Sequence, residues 1–181
     1  MTMSADGERS RSEVPEGPPS FPVSVILGRR TVRRGPVTVP SWELSGVVAG
    51  TPRIGEGMAG EGPARGRPIH RDGDREALLW TGLAGRLDPG STESYWFNLV
   101  SLKPSLQVIC QPDPETGLSP VAVTADHDLG VAHMEADDTV FAAPMPPEMI
   151  PWLERFVMDN YRPQPRKQRK REDWKKEPGH E

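Results

Sequence analysis

Phe21-Pro22-Val23-Ser24-Val25-Ile26-Leu27 is the stretch that decides the fold. Val23, Val25 and Leu27 recur at every second residue, the period of a strand that buries one face. Arg29 to Arg34 carry that strand out toward solvent, and Pro36 and Pro40 punctuate the chain beyond it. Ser41-Trp-Glu-Leu-Ser-Gly-Val-Val48 reads as a second strand. Trp42, Leu44 and one of Val47 and Val48 face inward, with Gly46 marking a bulge. The pattern resumes from Arg75 to Asp88 as a strand bent at Gly82 or Gly85, and Asp88-Pro-Gly-Ser91 is a turn. Tyr95 to Val100 and Leu102 to Gln111 are two apolar runs around Ser101, with Pro104 at the start or edge of the second. After the turn Gln111-Pro-Asp-Pro-Glu-Thr-Gly117, Ser119 to Ala125 is a further short strand. Hairpins or a meander account for these pairs. Asp126 to Phe141 is ambiguous, with one or two helical turns between Val131 and Asp138. Met145 to Tyr161 is the main helix: Ile150, Leu153, Val157 and Tyr161 fall at helical spacing. Pro147 suits a first helical turn, and Pro151 argues for a start near Ile150.

These elements predict an α+β fold. It is a single, mainly antiparallel β domain of five to six strands, a sheet or small barrel, with a C-terminal helix covering one face. The domain spans residues 21–161. Residues 50–75 hold seven glycines and three prolines and read as a long loop, an insertion on the surface or a mobile functional segment. Residues 1–20 and 162–181 are too polar to offset the entropy of ordering and are expected to be disordered.

The formal net charge of −4 hides an asymmetry. Arg162 to Glu181 carry 8 Lys/Arg and 4 Asp/Glu, while the remainder carries 14 against 22. An acidic body bears a basic tail, so nucleic acid is expected to meet the tail and not the body. Lys167, Arg169, Lys170 and Arg171 would contact an anionic partner. Trp174 beside them would stack on a base or fill a pocket. Trp42, Trp80, Trp96 and Trp152 fall on proposed core elements, where burial accounts for them.

One cysteine, Cys110, rules out an intrachain disulfide framework and any cysteine-only metal site. It lies in the apolar run Leu106-Gln-Val-Ile-Cys110, where a thiol is inert. A lone thiol suits a reducing compartment, and a cytoplasmic location is expected. No run approaches the roughly 18 apolar residues of a membrane span. Gly55-Glu-Gly-Met-Ala-Gly60 matches a dinucleotide-binding spacing but lacks the strand before it and the helix after it. His127, His133 and Glu135, among Asp126, Asp128, Asp137 and Asp138, are residue types that hold divalent metals. Their spacing matches no metal-site template, and an acidic solvated loop is the plainer reading. No catalytic residue and no cofactor are predicted.

Three segments carry a resemblance. They are Phe21-Pro-Val-Ser-Val-Ile-Leu-Gly-Arg-Arg30 with Trp42 and Val47-Val-Ala-Gly50; Tyr95-Trp-Phe-Asn-Leu-Val-Ser-Leu-Lys-Pro-Ser-Leu-Gln-Val108; and Pro144-Met-Pro-Pro-Glu-Met149 with Trp152, Phe156-Val157 and a basic tail. Together they resemble a bacterial domain-of-unknown-function family often encoded beside molybdenum-dependent formate dehydrogenase genes. The segment with Tyr-x-x-Asn-Leu and Pro-Ser-Leu-x-Val is the most specific. The resemblance supplies no catalytic residue. It implies a non-enzymatic accessory role, with formate dehydrogenase subunits or molybdenum-cofactor maturation proteins as partners. Two other readings stay open: a nucleic-acid-binding or regulatory module using the basic tail, and a metal-binding protein using the His127–Asp138 cluster.

Overall fold

Val23, Val25 and Leu27 are fully buried, all on one face of β1 (Ser20–Arg34). The computed structural model describes residues 19–50 and 66–162. Of residues 1–20 and 162–181, expected to be disordered, 1–18 and 163–181 lie outside the described residues, as does the first part of the Gly-rich stretch, while Ser20 opens β1 against that expectation. β1 pairs antiparallel with β2 (Val37–Ala49) through a turn at Gly35-Pro36, where Gly35 takes φ +60°. Glycine bears that backbone conformation without strain. The register slips where Ile26 faces Gly46 and Leu27 faces Leu44, so the bulge expected at Gly46 is present.

β3 (Arg67–Asp72) and β4 (Arg75–Arg86) form a second hairpin around Gly73-Asp74. Here the structure corrects the reading of residues 50–75 as one long loop. Arg67 to Asp72 have no apolar alternation because every one of them is exposed. What makes them a strand is pairing to β4 and a two-residue turn with Gly73 at φ +57°. β4 also pairs antiparallel with β1, and Thr81 and Gly82 together oppose Ser24, with Gly82 at φ +80°. That is the bend expected at Gly82.

β5 (Ser105–Asp113) and β6 (Gly117–Thr124) make a third hairpin. Its turn is held by Asp113, whose Oδ1 accepts from the Glu115 and Thr116 amides and the Thr116 hydroxyl. β7 (Thr139–Pro144), which the sequence left unassigned, pairs antiparallel with β5. The strand order is β2-β1-β4-β6-β5-β7, with β3 on the free part of the β4 edge. The sheet is mainly antiparallel, nearly closed and barrel-like. It has seven strands, the two beyond expectation being an edge strand exposed along its whole length and one too short to show a period. The single parallel junction is narrow: β4 meets β6 only at Gly85 and Val123.

Three helices complete the domain: α1 (Thr92–Leu99), α2 (His127–Glu135) and α3 (Ile150–Asn160). α3 begins at the later of the starts that Pro151 allowed, after a short turn at Pro147–Met149. It buries Leu153, Phe156 and Val157, each contributing roughly 1.5–3 kcal/mol before ordering costs. Phe156 meets Tyr95 of α1 edge-on at 6.1 Å, which joins the two helices. The sequence placed Tyr95 to Val100 among the strands, and the structure overturns this. The aromatic content suits a strand, but fixed contacts along one helical face outweigh that weak preference.

Candidate functional site

Those contacts explain the Tyr-x-x-Asn-Leu segment. Residues three and four apart share a helix face, so Tyr95, Asn98 and Leu99 point together into the domain. Tyr95 is buried, and its hydroxyl oxygen accepts from the Asp88 amide at 3.1 Å. Burial pushes its phenol above the ordinary value. The Asn98 side-chain amide donates to the Ser105 and Ala125 carbonyls, both at 2.7 Å, and its Oδ1 accepts from the Ser105 amide at 2.9 Å. Ser105 stands opposite Pro144 of β7, while β6 stops at Thr124 opposite Gln107. Asn98 thus exchanges both bonds with Ser105, as a continuing neighbour strand would.

With its inner face so held, α1 turns Trp96, Phe97 and Val100 outward. Phe97 is 56% exposed, Val100 60% and Leu102 just beyond the helix wholly exposed. Trp96 is 37% exposed and stacks on Tyr161, with centroids 5.6 Å apart and planes 10° apart. Burial therefore accounts for Trp80, and partly for Trp42 and Trp152 packed against the core, but not for Trp96. Single exposed apolar residues are ordinary, whereas a contiguous aromatic and aliphatic ridge marks an interaction surface. Phe97 and Asn98 also line a shallow cleft of about 290 Å³ with Ser94, Ser101, His127 and Asp128.

Asp126 ties α1 to α2. Its Oδ1 accepts from the Ser94 hydroxyl at 2.8 Å and from the Asp128 and Leu129 amides at 2.9 and 3.2 Å, capping α2. Burial works against its charge, but the hydroxyls of Ser91 and Ser94 and those two amides outweigh it and hold the carboxyl below 3.8. A folded value below the unfolded one means stability that is complete above the unfolded value and lost as pH falls through the folded one. Thermal unfolding followed below about pH 3.8 is expected to show a falling midpoint, with a shallower fall in Asp126→Asn. An equally steep fall in both would show that Asp126 plays no part.

The residues expected to hold a metal do not converge. His127 opens α2 and is exposed in the cleft beside Phe97. His133 is in the last turn, its Nδ1 2.7 Å from Asp138 Oδ2. Glu135, two residues on, points nearly the opposite way from His133. Among the described residues no three His, Cys, Asp or Glu side chains are grouped to hold a metal ion. Asp138 is held below its ordinary value by the hydrogen bonds from His133 and Gln111. Cys110 is buried, and burial pushes its thiol up to about 12, so it is inert as expected. Lys167, Arg169, Lys170, Arg171 and Trp174 lie outside the described residues. Among the described residues no helix is long and apolar enough to cross a membrane.

Residues 22–171 match the family described as a protein of unknown function (DUF3305). The chain belongs to this family. The DUF3305 match takes in every helix described above and runs on to Arg171, so both the α1 ridge and the basic cluster Lys167 to Arg171 fall inside it. No curated protein and no solved structure matches the chain.

The sequence flagged the Tyr95–Val100 segment through the resemblance alone. It had no means of separating inner from outer residues, because that division needs the helix and its partners Asp88, Ser105 and Ala125.

Proposed function

We propose that this protein is a non-enzymatic cytoplasmic accessory factor that docks on a partner through the outer face of α1. The partner would be a molybdenum-dependent formate dehydrogenase or one of its cofactor-maturation proteins. The observation that carries the docking is the exposure of Phe97 on α1 and of Val100 and Leu102 just past its end, with the other face of the helix clamped. A rigid aromatic and aliphatic anchor loses little conformational entropy on association, which is the character of an interface hot spot. Nothing in the fold requires these three side chains to face water. The polar groups beneath them, Tyr95, Asn98 and Asp126, are engaged in holding α1 and α2. The partner's identity rests on the family resemblance, and the lone buried thiol suits the compartment.

The test uses the tagged full chain, recovered from its native host grown with formate and molybdate. The wild type is expected to bring down dehydrogenase subunits or maturation proteins. Phe97→Asp with Leu102→Asp is expected to lose them while melting within about 0.5 kcal/mol of wild type, as exposed substitutions do. Recovery unchanged by the double variant would reject this surface. Absence of those proteins from the wild-type sample would reject the partner.

A further inference from the structure

The acidic body is an average over two halves of opposite sign. Residues 20–49 and 67–86, which contain β1 to β4, hold eight arginines and four carboxylates. From Leu87 to Asn160 there are two basic residues and twelve carboxylates. At the far end of β1–β4 the two hairpins run side by side: Arg30 faces Arg75, and the Thr31 amide donates to the Asp74 carbonyl at 3.3 Å. A cleft of about 450 Å³ opens there, lined among others by Arg29, Thr31, Arg71, Asp74, Arg75 and Glu76, three arginines against two carboxylates.

Two features of this end are costly for a purely structural role. Arg30 and Arg75 stand directly opposite each other across adjacent strands, where like charges destabilise a sheet, and Asp72, which faces Arg75 from β3, makes no salt bridge to it. Glu76 is only 8% exposed and is shared by Arg29 and Arg71, its register partners on either side, leaving a positive charge on balance. Arg29 is further fixed by the Thr116 carbonyl at 3.1 Å and lies 5.7 Å over the Trp42 ring. Among the described residues no carboxylate lies within 4.0 Å of Arg30, Arg33, Arg34 or Arg75. The cations here are all arginine, whose planar fork matches phosphate in two-bond geometry, and Thr31 and Thr38 add neutral donors.

We infer that this arginine end is a nucleic-acid contact, seating backbone phosphates across the paired hairpin ends. Arg71 and Arg75 meet the phosphates in the cleft; Arg33 shares the strand face of Arg29 and Thr31, and Arg30 and Arg34 carry the charge onto the other face of β1. The concave shape suits a strand's phosphates better than a planar lipid surface. The twelve carboxylates of the other half repel the same polyanion and keep the contact end-on. The site is made of residues of the folded domain and includes none from Arg162 to Glu181.

The test is anisotropy of a short fluorescein-labelled RNA with the full chain across a salt series. Arg30→Gln with Arg34→Gln and Arg75→Gln is expected to weaken binding about tenfold and to flatten the salt slope by about two. Replacing Lys167, Arg169, Lys170 and Arg171 by Gln is expected to leave that contribution in place. Arg30→Gln alone is expected to melt at or above the wild-type temperature, because its repulsion from Arg75 is relieved. Four outcomes would overturn the inference: no binding at about 50 mM salt, a loss confined to the tail variant, preference for anionic phospholipid vesicles over RNA, or a lower melting point for Arg30→Gln.

Discussion

Asn98→Ala is expected to lower the unfolding free energy by about 3 kcal/mol, a large share of the stability of a small domain. The change removes three hydrogen bonds at once. It leaves the Ser105 amide and carbonyl and the Ala125 carbonyl facing a gap, and each such group in a half-buried site costs about 1 kcal/mol or more. No strand can take over, since β6 has ended and the residue opposite on β7 is Pro144. Denaturant unfolding of wild type and variant would measure the difference at constant slope. Asn98→Asp is a useful second variant: it keeps the acceptor for Ser105 but sets a carboxylate oxygen against the Ser105 and Ala125 carbonyls, so at neutral pH a loss at least as large is expected. A loss under about 0.5 kcal/mol for Asn98→Ala would mean that water replaces the amide and that α1 is held by Tyr95 and Leu99 instead. Because α1 carries Phe97 and Val100 on its outer face, the same variant is expected to weaken partner capture without touching the surface.

Trp80→Ala is expected to cost about 3–5 kcal/mol. Trp80 is 1% exposed, lies opposite Val25 and fills the barrel between β4 and the start of β3. Gly66 packs so closely on its ring that a Cβ there would come within 2.7 Å of Cζ2. Removing the indole leaves a cavity that β1 and β4, paired along most of their length, cannot close. Gly66→Ala approaches the same contact from the other side and is expected to destabilise as well, because a rigid ring has nowhere to move. Thermal unfolding of both variants would check this. Near-wild-type melting of Trp80→Ala would show that the β3–β4 hairpin can collapse onto the vacated space.

Residue order alone was enough for the parts of this protein whose pattern is local. The period of two in Val23, Val25 and Leu27 marked β1, and the Ile150, Leu153, Val157 spacing marked α3, since each element faces a single core with one side. Gly46 announced a bulge, and Gly82 or Gly85 a bend that the structure places at Gly82, because a strand interior has little other use for glycine. The inert thiol at Cys110 followed from its apolar neighbours. Long-range packing settled the rest. β3 has no buried residue and exists only because β4 offers it an edge. Tyr95 to Leu99 became a helix because Asp88, Ser105 and Ala125 supply bonds to one of its faces, from positions 7 to 27 residues distant in the chain. That same clamp is what exposes Phe97 and Val100, so the candidate docking surface came into view only with the fold. The meeting of Arg30, Arg71 and Arg75 at one end is likewise a matter of strand register, which sequence-local charge counting averages away into an acidic body.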